Sequence, residues 1–277
     1  MLPASGAVGK SVSLLNKQSA LILVLAMLAA AVLIGHQNVP PMDRDEARFA
    51  QASKQMLASG DYVTVRFQDE LRAKKPAGIY WLQSAAAGLF GADDIATYRL
   101  PSLLAFLAAI WGTYNLASHL YRKPRALLAA AVLGASLLAF AEAHLAKTDT
   151  VLMALCLAQQ MALMRIYLAV QLGRAPPERS WLWFWVFMGA AIMIKGPIAP
   201  LLSLVTIGAL CLWDRSYRWL EQIRLVKGLL VLTALTLPWA ILVTLATDGA
   251  FLNIAVRGDL LAKVKAGHES HGAPMGT

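Results

Sequence analysis

The sequence predicts an all-α integral membrane protein, a bundle of about seven transmembrane helices with amphipathic surface helices in a long first outer loop. Three observations carry that expectation. The chain of 277 residues is 58% hydrophobic and only 15% charged, with a mean hydropathy of +0.56. Soluble domains hold roughly 45–50% apolar and about 25% charged residues, so the surplus must face lipid. A soluble globule, a coiled coil and a disordered chain are excluded on that ground. Second, apolar stretches free of Asp, Glu, Lys and Arg recur at 20–35, 100–117, 126–141, 150–164, 181–194, 198–213 and 228–247. Third, the cations sort by side when those stretches alternate across a bilayer.

One side holds Lys10, Lys17, Arg122, Lys123, Arg125, Arg165, Arg174, Arg179, Arg215, Arg218, Arg224 and Lys227. The short loops of the other side hold only Lys147 and Lys195. The first side, with the N-terminus, is therefore predicted to be cytoplasmic. This asymmetry also accounts for the net charge of +9. Basic residues beside anionic lipid explain it without a nucleic-acid partner.

The first stretch, 20–35, follows Lys10 and Lys17 and reads as an anchor. Small residues at 29–31 also fit a cleavable leader, and either way the next loop is outer. A span needs about 20 residues, so the shorter stretches must draw flanking residues into the bilayer. The stretches 181–194 and 198–213 read as two short helices, because Gly196-Pro197 breaks the pattern and a mid-membrane Lys195 would be costly. Cys156 and Cys211 lie in spans at different depths, so no bridge is expected.

The outer loop 36–99 holds most of the acids. Asp43 with Glu46 three residues later is the pattern of a capping box. Phe49, Ala52, Met56 and Leu57 follow at helical spacing, so an amphipathic surface helix is predicted over 44–57, ended by Gly60. A second helix opens after Lys74-Lys75-Pro76, with Pro76 in its first turn and Ile79, Leu82, Ala86 and Leu89 as its apolar stripe. Acids on one helix and lysines before the other make an ionic cleft at the membrane edge.

Each of these groups has a plain structural explanation. Asp45 and Glu46 suit a first helical turn. Lys74 and Lys75 can simply be solvated, Asp149 can open a helix, Lys195 can snorkel, and His271 can sit in a polar tail. Their shared placement argues for more. Asp45, Lys75, Asp149, Lys195, Arg257 and His271 all fall on the outer side. Carboxylates there can act as a general base and cations can hold a phosphate.

The segments Asp45-Glu46-Ala47-Arg48-Phe49 and Met56-Leu57-Ala58-Ser59-Gly60-Asp61-Tyr62 resemble the first outer loop of GT-C membrane glycosyltransferases. The likeness is to the bacterial branch of lipid A aminoarabinose transferases and protein O-mannosyltransferase-like enzymes. Lys75-Pro76-Ala77-Gly78-Ile79-Tyr80-Trp81, Thr148-Asp149, Lys195-Gly196-Pro197 and Glu269-Ser270-His271-Gly272-Ala273-Pro274 match that branch in order. The resemblance implies a GT-C-like bundle in a bacterial inner membrane, working on its periplasmic face. It implies a polyprenyl-phosphate sugar donor, inversion at the sugar, and a lipid A-like, glycan or protein acceptor. By the same likeness Asp45 is the catalytic carboxylate, Asp149 the second acid, and Lys75 the donor-phosphate ligand, with Arg257 as helper. Glu46, Lys195 and His271 are further candidates.

Two departures stand out. The aminoarabinose transferases commonly carry a metal-binding glutamate where this chain has Lys74. That puts a divalent metal shared with His271 in doubt and suits a second phosphate contact. The family also continues beyond this point, so 1–277 reads as an N-terminal transferase domain, with outer segments 36–99 and 248–277. A fragment, a frameshifted product and a short relative all fit that reading. A transporter or flippase of an anionic or lipid-linked solute, and a non-catalytic remnant, are the alternatives to an enzyme.

Overall fold

The computed structural model describes residues 43–254 and scattered positions between 19 and 41. Helix α1 (Arg44–Ser59) begins where the Asp43 carboxylate accepts the Asp45 N–H at 2.8 Å. It ends at Gly60, whose φ of 69° closes the last turn onto the Met56 carbonyl. Phe49, Ala52 and Met56 are buried as their spacing predicts. The capping box is only half formed, because Glu46 turns inward to Arg99 instead of back to the cap.

A short antiparallel hairpin, β1 (Arg66–Phe67) and β2 (Glu70–Leu71), follows. The helical reading of this loop did not anticipate it. Helix α2 (Gly78–Phe90) starts after Pro76, with Ala77 as its cap. Its expected stripe is corrected. Ile79, Tyr80, Gln83, Ser84 and Ala87 face the protein, whereas Leu82 and Leu89 are exposed. At a membrane surface the apolar side of such a helix is free to meet lipid. Ser53 and Ser84 stitch α2 to α1, through Ser53 Oγ to Gln83 Oε1 at 2.7 Å and Ser84 Oγ to the Ser53 carbonyl at 2.9 Å.

The bundle comprises α3 (Ile95–Leu120), α4 (Lys123–Gly134), α5 (Leu137–Ala143), α6 (Asp149–Gln171), α7 (Ser180–Lys195), α8 (Ile198–Asp214), a 3₁₀ turn (Arg218–Ile223), α9 (Leu225–Ala246) and the short α10 (Ala250–Asn253). Helices α3, α6 and α9 are long and apolar enough to cross a membrane. The expected single stretch 126–141 is instead two helices, α4 and α5, bent by 61° to one another, where Ser136 leaves the helical region at ψ 117°. Helices α7 and α8 are separate, as expected, because Gly196 at φ 72° and ψ −135° breaks the chain between them. They have 16 and 17 residues, so each rises only ~25 Å. Inside the bundle, Gln159 Nε2 donates to Ser203 Oγ at 2.7 Å and ties α6 to α8.

Alternation of the helices sorts their ends into two sets. At one end Gln171 meets Asp214, Trp185 Nε1 donates to the Ile223 carbonyl at 2.9 Å, and Arg224 lies over Trp181. The other end carries α1, α2, the hairpin and the acids.

Candidate active site

Asp45 occupies the first turn of α1, where the helix dipole favours an anion. Its carboxylate is half-exposed and lies 3.8 Å from Arg48, a loose contact that leaves it open to a substrate. Glu46, the next residue, is fully buried. Its Oε1 accepts Arg99 Nε at 2.7 Å and the Ala146 N–H at 3.1 Å, and its Oε2 accepts Arg99 Nη2 at 3.2 Å. Glu46, one of the further candidates, is thus held inside the fold by Arg99 and the Ala146 N–H.

Asp149 opens α6 and pairs with Lys195 in the last turn of α7. Both charges sit where their helix dipoles favour them. Beside them Lys147 bridges Asp43 at 2.8 Å and Glu142 at 3.2 Å. Burial lowers the pKa of its ammonium, but the two carboxylates outweigh burial and hold it above the ordinary lysine value.

The lysine turn is placed by the hairpin. The Gln55 amide grips Gln68 twice, through Nε2 to its carbonyl at 3.2 Å and Oε1 from its N–H at 2.8 Å. Arg72 then donates its backbone N–H to Val65 at 2.8 Å and its Nε to the Tyr80 hydroxyl at 2.9 Å. The Arg72 guanidinium lies 5.0 Å over the Phe49 ring. Burial pushes the Tyr80 hydroxyl up to about 12, and the Asp45 charge acts in the same direction, so Tyr80 stays protonated. Lys75 is half-buried and Lys74 exposed. A Cβ on Gly78 would lie 2.6 Å from the Met193 carbonyl oxygen, so the start of α2 presses on the end of α7. Gly78, three residues after Lys75, thus packs against Met193, two residues before Lys195. Arg257 and His271 lie outside the described residues.

A half-exposed carboxylate, a second carboxylate held by a lysine, and a basic turn share one end of the bundle. That set can take a proton from a hydroxyl and hold an anionic phosphate.

Residues 74–242 match the model of the family described as dolichyl-phosphate-mannose-protein mannosyltransferase. The chain belongs to this family. It is 30% identical over 226 residues to undecaprenyl phosphate-alpha-4-amino-4-deoxy-L-arabinose arabinosyl transferase 1 of Pseudomonas fluorescens Pf0-1, covering 80% of this chain and 38% of that protein. It is 32% identical over 206 residues to the transferase of the same description from Pseudomonas aeruginosa UCBPP-PA14, covering 72% of this chain and 36% of that protein. The fold is that of ArnT from Cupriavidus metallidurans. In the apo state of that protein the TM-score is 0.74 at 23% identity, over 85% of this chain and 43% of that one. With undecaprenyl phosphate bound to it, the TM-score is 0.72 at 24% identity, over 87% and 44%. The chain spans 36–38% of the length of these two curated relatives.

This member of the family is thus a multi-pass, membrane-embedded protein. Three residues whose contacts hold this end of the bundle together escaped the candidate set: Arg99, Lys147 and Arg72. Arg99 carried a signal, a cation inside the apolar helix α3. Beginning the span at Leu100 hid it. The contacts of Lys147 with Asp43, more than a hundred residues away, have no local signature.

Proposed function

We propose that the chain carries the donor-binding and catalytic-carboxylate part of an inverting membrane glycosyltransferase. It takes a sugar from a polyprenyl phosphate and passes it to a hydroxyl of a lipid A-like, glycan or protein acceptor. The observation that best supports this reading is the gathering of Asp45, Asp149 and the Lys74-Lys75 turn at one end of the bundle. The relatives named for undecaprenyl phosphate-linked 4-amino-4-deoxy-L-arabinose support a polyprenyl donor and make that compound the first donor to test.

In the proposed step the acceptor oxygen bonds to the anomeric carbon from the face opposite the phosphate. The bond from that carbon to the phosphate oxygen breaks, and its electron pair leaves with the polyprenyl phosphate. Asp45 receives the hydroxyl proton. Lys75, with Lys74 and Arg257, stabilises the phosphate as its charge grows. Asp149, held by Lys195, orients the sugar or acceptor. Phosphate is a workable leaving group, so charge stabilisation outranks acid catalysis.

Lys74 brings a positive charge to the turn, which disfavours a divalent metal there. No step is routed through one. The asymmetry of the basic loops supports a cytoplasmic N-terminus, a bacterial inner membrane as the location, and this site on the periplasmic face.

Asp45→Asn tests the reading. Transfer is expected to fall about 100-fold or more, the scale of a lost general base, while membrane insertion and undecaprenyl phosphate binding persist. Normal transfer by this variant removes Asp45 from the mechanism.

A further inference from the structure

We propose that the buried Glu46–Arg99 ion pair is a positioning clamp, which sets Asp45 on α1 against Asp149 on α6 and never meets substrate itself. The proposal rests on the glycosyltransferase reading for its activity readout alone; the geometry stands apart from it.

Glu46 is 0% and Arg99 1% exposed. Their contacts tie together four pieces of chain that are distant in sequence. Arg99 belongs to α3 and Glu46 to α1. Arg99 Nη1 donates to the His36 carbonyl at 2.8 Å, which adds the segment entering the outer loop. Glu46 Oε1 accepts the Ala146 N–H at 3.1 Å, which adds the turn between α5 and α6. Asp45 adjoins Glu46, and Asp149 stands three residues after Ala146. Each of the two carboxylates is thus within three residues of a group held in this junction. A second strut, Lys147 to Asp43, closes the same loop at the surface.

An apolar pair could fill this space at equal or better stability, because burying two charges is costly. What an apolar pair cannot do is accept the Ala146 N–H and fork to the His36 carbonyl. The clamp's contribution therefore lies in geometry. A misplacement of about 1 Å at a reacting group costs on the order of 100-fold in rate.

The test compares Glu46→Gln with the double variant Glu46→Leu/Arg99→Met in the full chain in native-like membranes. The probes are transfer from undecaprenyl phosphate-aminoarabinose to lipid A and binding of undecaprenyl phosphate. Glu46→Gln is expected to lower kcat about 100-fold with donor affinity within about twofold. The double variant is expected to recover the melting temperature and not kcat. Wild-type kcat in either variant overturns the proposal, since the pair would then serve stability alone.

A wild type that transfers nothing from this donor counts against the functional reading, and a distance measurement then decides the clamp. Spin labels at Ala47→Cys and Ala141→Cys, with Cys156 and Cys211 replaced by Ala, report α1 against α5. A narrow distribution that broadens with Glu46→Gln is expected. An unchanged distribution overturns the clamp.

Discussion

The Lys195 ammonium closes on the Asp149 carboxylate, so the last turn of α7 and the first turn of α6 share one ion pair at the acid-bearing end of the bundle. Asp149 remains 44% exposed. A pair this open to water contributes no more than about 1 kcal/mol to stability. Its consequence is to aim a carboxylate, so fold and activity should separate on mutation. Asp149→Asn should slow transfer about tenfold or more, with thermal unfolding in detergent shifted by less than that 1 kcal/mol. An unchanged transfer rate would remove Asp149 from the site.

Lys75 and Lys74 should differ. The half-buried Lys75 can make a charge-assisted hydrogen bond to phosphate worth about 1.5–3 kcal/mol, so Lys75→Ala should weaken undecaprenyl phosphate binding about 10- to 100-fold. The exposed Lys74 is screened by salt. Lys74→Ala should cost a few-fold, and less as ionic strength rises. Titrations in nanodiscs at two salt concentrations check both; the reverse order of losses would exchange their roles.

Gly78 is required by a contact rather than by its backbone angles. Any added Cβ meets the Met193 carbonyl oxygen at 2.6 Å, and a backbone atom cannot rotate away. Gly78→Ala should destabilise by about 1–3 kcal/mol, the scale of overpacking. Donor binding should also fall, because the lysine turn is pushed from the end of α7. Thermal unfolding and undecaprenyl phosphate titration of the same preparation measure both effects. Wild-type values for both would show that α2 does not bear on α7.

His36 makes the fold sensitive to acid. Its Nε2 donates to the Ala96 carbonyl at 3.0 Å, and Nδ1 is buried without a partner among the described residues. Burial, with the Arg99 and His144 charges, lowers its pKa below the ordinary 6.5. The folded state therefore binds this proton less readily than the unfolded chain. The stability is intact above pH 6.5 and is lost as pH falls through the lowered value. Melting temperatures from about pH 8 to about pH 5 should fall more for the wild type than for His36→Gln. Equal slopes would locate the acid sensitivity elsewhere.

Much of this was legible along the chain because its causes are local. The helix over 44–59 follows from Asp43, the apolar spacing and Gly60. The break at Gly196 follows from the dipeptide that makes it. The stripe of α2 was misread because an apolar stripe marks the buried face only when water is the alternative. Beside lipid, Leu82 and Leu89 can face outward, and Gln83 and Ser84 turn in to bond with α1. The bend at Ser136 and the two-residue hairpin are small backbone events that apolar runs do not register.

By itself the sequence determined the membrane class, the order of the apolar helices and the grouping of Asp45, Lys75, Asp149 and Lys195 at one end of the bundle. Hydropathy and charge asymmetry act on each segment separately, so they can be read without a fold. Only the tertiary structure decided that adjacent acids diverge, Asp45 toward solvent and Glu46 into a buried pair with Arg99. That choice depends on which helix packs behind the first turn of α1. Burying an ionised carboxylate is costly unless other elements bring it a counter-charge and hydrogen bonds, and here the counter-charge comes from α3, some fifty residues farther along the chain.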